Sequence, residues 1–451
     1  PQLNITNVIA PNGGRIYVDH AHPEYSAPET TDPFEAVRYD RAGDLIMRAA
    51  AAKASETTGR KIVLHRNNVD GKGASWGTHE NYMMLRSVPF DLVTRLMTTH
   101  FVSRQIFIGS GRVGIGEHSE NAGYQLSQRA DYFHMKFGLQ TTFDRPINTR
   151  DESHSTDEYR RLHVIVGDAN RMDVPQALKL GTTSMLLWLL EHADMAEIDL
   201  NEALEPLTLA DPVEAMHTVS HDLTLAAPLP LETGGTTTAW QMQVTLRGLV
   251  YAAAATVYGT DTSGEPAWPD RSTRNIMAMW GQALADVATV RHADDDGRLT
   301  MREQASRLEW LLKWQLLEKL RRKTGSDWTD RRLAAVDLKW AALDPADSIF
   351  TRLAGQTERL VTDKQLAEAV GQAPADTRAW LRAEIIRRFP EQVVAASWSH
   401  LTVRGESSGD ENVENSMVSL DMSNPLKFTE SLCSEAFEHV HTASGIVESL
   451  R

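Results

Sequence analysis

The sequence predicts an α+β protein, and three observations along the chain support that class. Up to about residue 170, strand-like alternation of apolar and polar residues is mixed with helical patterns. From about 175 to 385, apolar residues mostly follow the spacing of helices. After Phe389-Pro390 the composition shifts and strand-like runs return. We therefore expect a large domain over residues 1–386 and a small C-terminal domain over residues 387–451.

Composition limits the classes of function. The chain has 451 residues, 41% hydrophobic residues and a formal net charge of −15. A charge of this sign argues against broad binding to nucleic acid or to anionic membranes. No apolar run approaches the roughly 20 residues that span a bilayer. The single cysteine, Cys433, excludes an intramolecular disulfide framework, fits a reducing cytoplasm and is interpreted as a buried, inert thiol.

The first element with chemical content is a strand at residues 15–19. Ile16 and Val18 alternate with Arg15, Tyr17 and Asp19, so we expect one face to pack into a core and the other to carry the polar groups. Pro23 ends the run and Glu24 follows. A guanidinium beside carboxylates suits a site for phosphate, metal or both. An ordinary exposed sheet, with Asp19 paired to Arg15, fits the same spacing.

The next elements follow from capping and periodicity. Asp32, with Pro33 after it and Glu35 three residues on, predicts the start of a helix that runs through residues 47–54. Further segments are predicted as strands at Lys61–His65 and Gln105–Ile108, helices at Gln176–His192 and Met301–Lys323, and strands at Val393–Trp398 and Leu401–Val403.

Two further strands carry polar side chains. His79 and Asn81 share one face of a predicted strand, and Glu80 points to the other. Arg161 and His163 form a similar face on a later strand. Each histidine alone is typical of an ordinary strand. Two such strands beside Arg15, Tyr17 and Asp19 favour a shared polar sheet face, which suits a nucleotide site built on a sheet. Arg150 is either a phosphate ligand or part of a surface salt bridge.

Other motifs are less promising. The glycine-rich run Gly109–Gly116 resembles a dinucleotide loop, but the residues after it do not begin an apolar helix. Asp294–Gly297 lacks the further ligands of a calcium loop. Histidine and cysteine spacing matches no zinc motif.

Several ordered motifs resemble one known family, which contains Pup ligases and Pup deamidases/depupylases and is distantly related to glutamine synthetase and carboxylate–amine ligases. The resemblance covers essentially the whole chain. The motifs are Tyr17–Ser26, Asn67–Asp70, Gly77–Tyr82, Arg145–Glu152 and Arg161–Asn170. Within the family, Asp19-His-Ala-His-Pro-Glu24 is similar to the depupylase branch, whereas ligases carry an Asp-Val-Gly-Ser-His-Pro-Glu pattern.

The resemblance implies a curved, largely antiparallel sheet of glutamine-synthetase type, backed by helices, in a large catalytic domain. It implies an ATP- and Mg²⁺-dependent hydrolase that deamidates the C-terminal glutamine of Pup, the prokaryotic ubiquitin-like protein, and removes Pup from substrate lysines in the Pup–proteasome pathway. The expected partners are Pup and pupylated proteins, with no nucleic acid or membrane, and the expected state is a cytoplasmic monomer.

The resemblance also implies roles for single residues. Asp19 is the catalytic carboxylate, which either attacks the amide carbonyl or activates water or phosphate. Trp398 stacks on adenine. The remaining assignments are magnesium ligands Tyr17, Glu24, His79 and His163, and nucleotide contacts Arg15, Ser26, Asn81 and Arg150, in addition to Trp398.

The family's first strand carries a Gly-x-Glu-x-Glu-Tyr-Gly type motif whose glutamates bind metal, and these 451 residues do not contain it. We therefore expect this chain alone to bind Mg²⁺–ATP poorly. The alternative activity within the family is a Pup–protein ligase that forms a γ-glutamyl phosphate and then an isopeptide bond. A noncatalytic regulator that binds Pup or nucleotide is a third hypothesis.

Overall fold

A computed structural model describes residues 7–139, 141–149, 154–405 and 417–451. The strands are β1 Asn7–Ile9, β2 Arg15–Asp19, β3 His22–Ser26, β4 Glu80–Leu85, β5 Arg112–Ile115, β6 Asn121–Gln125, β7 Phe133–Gly138, β8 Arg145–Thr149, β9 Tyr159–Val164, β10 Leu229–Pro230, β11 Thr236–Thr237, β12 Val393–Ala396, β13 His400–Arg404 and β14 Met417–Asp421. The helices are α1 Pro33–Thr58, α2 Phe90–Ser103, α3 Gln105–Ile108, α4 Asp173–His192, α5 Leu200–Leu204, α6 Pro212–His221, α7 Ala239–Tyr258, α8 Arg271–Arg291, α9 Asp295–Arg298, α10 Arg302–Ala305, α11 Glu309–Thr324, α12 Arg331–Trp340, α13 Ile349–Leu353, α14 Asp363–Gly371, α15 Ala379–Arg388, α16 Glu430–His439 and α17 Ala443–Ser449.

The strands form small sheets that are mostly antiparallel. Two sheets have three strands, in the orders β1-β2-β3 and β12-β13-β14, and the pairs are β4-β9, β5-β6, β7-β8 and β10-β11. Only β7-β8 is parallel among the described pairs. The α+β class is confirmed.

The chain divides into two compact units. The first unit comprises residues 1–62, 154–156 and 361–451, and the second comprises 63–153 and 157–360, as far as they are described. The predicted boundary between residues 386 and 387 falls inside α15, which belongs to the first unit. The division into a 1–386 domain and a 387–451 domain stays a prediction.

Helix α1 of the first unit begins where the capping pattern predicts. The Asp32 carboxylate accepts hydrogen bonds from the backbone N–H groups of Phe34 and Glu35, at 2.7 and 3.0 Å. Gly59 ends the helix with a left-handed φ of 66°. Tyr39 and Ala42 of α1 pack with Ala369 of α14, so the helix is fixed by its apolar face as well as by its cap.

The C-terminal part of the first unit has its own core. Leu401, Val403, Val418 and Leu420 alternate along β13 and β14 and pack against the C-terminal helices. Cys433 is fully buried among them, and burial raises the pKa of its thiol to about 11. The interpretation of Cys433 as a buried thiol is confirmed.

The second unit is built on packed helices. Helices α4, α7 and α8 contact one another, α2 packs against α4 and α7, and β4 lies against α4. Trp280 of α8 is completely buried and donates its indole N–H to Gln243 at 3.1 Å. Among the described helices, none has the length and apolarity needed to cross a membrane.

Three predicted segments differ from the structure. Gln105–Ile108 is helical, because its apolar run is buried directly after α2, and short apolar runs do not distinguish a strand from a helix. In Lys61–His65 only His65 forms a β-bridge, with Ala342. The helix predicted at Met301–Lys323 is split into α10 and α11, which begins only after Leu308.

Candidate active site

The hairpin formed by β2 and β3 carries a ladder of polar pairs on one face. Its register places Arg15 opposite Ser26, Tyr17 opposite Glu24 and Asp19 opposite His22. Side chains directly opposite in an antiparallel pair are about 5 Å apart and point to the same side. We call these three pairs the polar ladder; it brings together five residues that the sequence assigned to the site.

The other face of β2 is less buried than expected. Ile16 is half-buried, but Val18 keeps 55% of its surface exposed, so the prediction that both pack into a core is wrong for Val18. The reason is position: Val18 lies one residue before the end of the strand and faces exposed Pro23 across the hairpin.

Asp19 ends β2 and is half exposed. Its Oδ1 lies 2.7 Å from Nδ1 of His20, and its side chain is 52% accessible. Arg15 and Asp19 are four residues apart along a strand that rises about 3.3 Å per residue, which separates their backbones by roughly 13 Å. The alternative in which Asp19 simply pairs with Arg15 therefore does not describe this hairpin.

Tyr17 is a neutral phenol in the middle of the ladder. Burial raises its pKa to about 12, and the nearby Glu24 and Asp19 carboxylates act in the same direction. Its hydroxyl lies 3.2 Å from Oγ of Ser26, one step along the ladder. The phenol oxygen therefore stays protonated at neutral pH in the absence of a bound cation.

Trp398 lies in the turn between β12 and β13, beside two guanidinium groups. The Arg15 guanidinium is 5.5 Å and that of Arg382 is 4.8 Å from the centre of its ring. Burial lowers the pKa of Arg15, and the positive charge of Arg382 lowers it further. The ring is half-buried, so part of it remains accessible.

Arg382 of α15 holds this region together. It is fully buried and donates to the Gly13 carbonyl at 2.7 Å and to the Trp398 carbonyl at 3.3 Å. Its Nη2 also donates to Glu29 at 2.6 Å, as does Nε of Arg378. Burial opposes the charge on Glu29, but the two guanidinium groups prevail and lower its pKa. One buried network thus fixes both the segment leading into β2 and the Trp398 turn.

The second unit brings together the other predicted residues. Asn81 of β4 pairs directly with His163 of β9, and its Oδ1 lies 2.8 Å from Nδ1 of His163 and 2.6 Å from Nη1 of Arg161. His79 precedes β4, and its ring lies edge-on to that of His163 with centres 4.9 Å apart. These two strands therefore share a polar face. The expected continuation of this face to Arg15, Tyr17 and Asp19 is not found, because among the described strands β2 pairs with β1 and β3 in another sheet.

Three arginines give this face a positive environment. Desolvation lowers the pKa of His79 although part of its ring is exposed, and the charges of His163, Arg129, Arg161 and Arg145 lower it further. Both the burial of Arg129 and the charge of Arg145 lower the pKa of Arg129, to about 9. A neutral imidazole among cations suits an anionic oxygen ligand.

Glu80 anchors β4 from the opposite face. Its carboxylate accepts two hydrogen bonds from Arg104, at 3.0 and 2.7 Å, and one from the Tyr82 hydroxyl at 2.5 Å. Glu80 and Arg104 are both buried. The opposite orientations expected for Glu80 and Asn81 are confirmed, and the buried pair fixes the strand that carries Asn81.

The glycine-rich run Gly109–Gly116 does not form a phosphate cradle. The backbone N–H of Ser110 donates to Asp168 at 2.9 Å, and that of Gly116 donates to Asp131 at 2.9 Å. These amides are satisfied by carboxylates of the protein itself. Gly111, Gly114 and Gly116 have positive φ angles of 75°, 93° and 89°, which explains these glycines by the local backbone.

The described residues bring together only part of a magnesium coordination sphere. Tyr17 with Glu24 in the first unit, and His79 with His163 in the second, are pairs of candidate ligands. Over the described ranges, no group of three or more His, Cys, Asp or Glu side chains is arranged to hold a metal ion. Arg150 lies outside the described residues, so its role stays a prediction.

Sequence reasoning missed several residues at these sites. Arg145 lies within a motif that carries the family resemblance, so its charge was a usable signal, whereas Arg161 was already placed on the polar face with His163. Arg129 and Arg382 had no such signal, because only the fold brings them to His79 and Trp398.

Comparison with proteins of known sequence supports the resemblance. A Pup deamidase/depupylase of Mycolicibacterium smegmatis is 41% identical over 454 residues, which cover 100% of this chain and 84% of the relative. A Pup–protein ligase of Corynebacterium jeikeium is more distant, at 32% identity over 90% of this chain and 85% of the ligase.

Solved structures and the family assignment agree with these relatives. The Pup ligase PafA in complex with ADP has a TM-score of 0.79 and 29% identity, covering 97% of this chain and 90% of PafA. PafA in complex with Pup has a TM-score of 0.78 and 28% identity, covering 99% of this chain and 87% of that one. Residues 1–402 match the family described as Pup-ligase protein. The chain therefore belongs to the Pup-ligase protein family.

Proposed function

We propose that this chain is an ATP- and magnesium-dependent amidase and isopeptidase that acts on Pup. The observation that carries the proposal is the position of Asp19, an accessible carboxylate at the end of the polar ladder. The ladder lies in a chain whose full length is 41% identical to a Pup deamidase/depupylase.

The proposed reaction is hydrolysis of a side-chain amide of the last residue of Pup. The C–N bond breaks, the elements of water are added, and glutamine becomes glutamate with release of ammonia. In depupylation the leaving group is instead the amine of a substrate lysine. Asp19 either attacks the carbonyl carbon itself or activates the nucleophile, water or phosphate.

ATP supports this reaction as a cofactor rather than as a consumed substrate. We assign Trp398 to adenine stacking, because an accessible indole face suits a base. Arg15, Ser26, Asn81 and Arg150 are assigned to nucleotide contacts. The proposed magnesium ligands are Tyr17, Glu24, His79 and His163, whose hydroxyl, carboxylate and imidazole groups are possible donors.

The proposal extends to the biological setting. Pup and pupylated proteins are the partners, the protein acts as a cytoplasmic monomer, and its activity belongs to the Pup–proteasome pathway. Analytical ultracentrifugation with and without Pup measures the oligomeric state directly, and a sedimentation coefficient of a dimer would contradict that part of the proposal.

The activity is tested with two forms of Pup. Pup ending in glutamine is incubated with the protein, ATP and Mg²⁺, and mass spectrometry follows conversion to glutamate while ATP is quantified in parallel. We expect complete deamidation with far less than one ATP consumed per Pup. Reaction of only the glutamate form, joined to lysine with stoichiometric ATP consumption, would instead identify a ligase.

A further inference from the structure

The turn that connects β2 to β3 has an unusual backbone for its sequence. Only His20 and Ala21 lie between the paired residues Asp19 and His22. Both have positive φ angles, 46° for His20 and 65° for Ala21. Two-residue hairpin turns with positive φ at both positions favour Asn-Gly or similar pairs, because a β-carbon is strained there.

The stability of the hairpin does not explain why His20 and Ala21 occupy these strained backbone positions. Glycine at either position would adopt the same backbone without steric cost, so a stable hairpin alone does not require histidine and alanine. Strained backbone positions cluster at functional sites, where a particular side chain must be presented. The turn directly follows Asp19, so the function that this strain would serve is the chemistry of the Asp19 carboxylate.

The His20 side chain contacts that carboxylate. Its Nδ1 lies 2.7 Å from Oδ1 of Asp19, and the two side chains are 75% and 52% accessible. A pair this exposed adds little to folding stability, because water competes for both partners. It does restrict rotation of the carboxylate, since one of its two oxygens is engaged by the ring. Other ionisable groups around the turn are His22, opposite Asp19, and Glu24 beside it on β3.

We infer that His20 is a positioning residue for Asp19: through the left-handed turn, its Nδ1–H holds the Asp19 carboxylate in the orientation that the reaction uses. The inference rests on the proposed function and deepens it, because the group that reacts is Asp19. A nucleophile or base that is already fixed loses less orientational freedom on the way to the transition state. Fixing the Asp19 carboxylate should therefore raise kcat and leave substrate binding unchanged.

Three variants distinguish the effect of the His20 imidazole from the effect of the strained backbone. His20→Gly keeps a backbone that favours the turn but removes the donor, Ala21→Gly relieves the neighbouring strain and keeps the donor, and His20→Asn tolerates positive φ and restores an amide donor. Thermal unfolding and steady-state deamidation of Pup ending in glutamine are measured for each.

We expect both glycine variants to be at least as thermally stable as the wild type. Only His20→Gly should lose kcat, by about tenfold or more, with the KM for Pup within about twofold, and His20→Asn should recover part of the loss. An unchanged kcat in His20→Gly would overturn the inference. An equal loss in both glycine variants would overturn it as well, since turn flexibility would then be the cause.

A second measurement does not depend on Pup. Nitrogen-15 NMR of the His20 ring in the wild type should give the tautomer protonated at Nδ1, and Asp19→Ala should shift the balance toward the other tautomer. Identical ring shifts in the two proteins would overturn the contact itself. Failure of the wild type to convert Pup would contradict the proposed function, whereas the NMR shifts would still show whether His20 and Asp19 are in contact.

Discussion

Asp19 combines accessibility with a fixed place in the fold. It is the last residue of a ladder in which each polar side chain has a defined cross-strand neighbour. Its carboxylate is half exposed, and Oδ1 lies 2.7 Å from Nδ1 of His20. An exposed carboxylate of this kind contributes little to stability. Its replacement therefore separates chemistry from folding.

Asp19→Asn should lower deamidation of Pup by roughly 10²–10⁴-fold, because the amide is neither a nucleophile nor a base. Thermal stability should be unchanged. The measurement is the rate of the glutamine-to-glutamate mass shift. Asp194→Asn, at another exposed carboxylate, is the matched control and should react like the wild type. Full activity in Asp19→Asn would contradict the assigned role.

Trp398→Ala should raise the KM for ATP about tenfold or more, since stacking contributes roughly 1–3 kcal/mol per base. Trp398→Phe should retain most of the affinity. Trp328 is a suitable control, because it is also half-buried and has an arginine guanidinium 5.7 Å from its ring. Equal effects of the alanine substitutions at both tryptophans would indicate a loss of structure rather than of stacking.

At the scale of elements, buried charges connect the hairpin to α15. Glu29 receives hydrogen bonds from Arg378 and Arg382, and Arg382 also reaches the carbonyl oxygens of Gly13 and Trp398. Buried guanidinium groups are tolerated only with a partner, so this network depends on the single carboxylate.

Glu29→Gln should reduce the free energy of unfolding by about 3–5 kcal/mol, because it leaves two buried cations without their counter-charge. Urea denaturation monitored by tryptophan fluorescence gives the value. Glu56→Gln removes the same charge from an exposed pair with Lys53 and should change stability by less than about 1 kcal/mol. Similar losses in the two variants would refute the network's role.

Asp131 gives the second unit a pH dependence. Its burial raises its pKa, but hydrogen bonds from His221 and Gln125, at 2.5 and 2.8 Å, prevail and lower the pKa to about 2. As the pH falls, the Asp131 carboxyl is therefore protonated in the unfolded chain before it is protonated in the folded protein. Its contribution to stability is complete above about pH 3.9, the pKa in the unfolded chain, and is lost as the pH falls through about 2, the pKa in the folded protein.

The difference in the free energy of unfolding between the wild type and Asp131→Asn should therefore decrease by about 2 kcal/mol when the pH is lowered from about 6 to below 2. Urea titrations across this range measure it. A gap that is constant or that widens in acid would contradict the lowered pKa of Asp131.

The sequence predicted correctly those features that depend on residues close together in the chain. The Asp32 cap, the strand at Arg15–Asp19 and the opposed faces of Glu80 and Asn81 depend on neighbours in sequence, and all three appear in the structure. The buried face expected from the alternation in β2 does not extend to Val18. Gln105–Ile108 became a helix, because tertiary burial decides the conformation of a short apolar run. Arg382 and Arg129 were missed for the same reason: distant packing alone places them.

At the scale of the whole molecule, the predicted site residues fall in both compact units. The polar ladder and Trp398 belong to the first, and His79, Asn81 and His163 belong to the second. The family was predicted from ordered motifs, and the α+β class from the succession of strand-like and helical patterns along the chain. The described residues contribute candidate magnesium ligands in pairs, Tyr17 with Glu24 and His79 with His163, and a complete coordination sphere needs further donors.

The proposed activity removes Pup from proteins, whereas the alternative activity of the family attaches it. The most direct measurement is a single mixture of protein, ATP, Mg²⁺, free Pup ending in glutamate, and one substrate protein present half pupylated and half unmodified. The amount of conjugate is followed over time by gel electrophoresis. We predict that the conjugate disappears while unmodified substrate accumulates. An increase in conjugate, with one ATP consumed for each bond formed, would show that the protein is a ligase and not a depupylase.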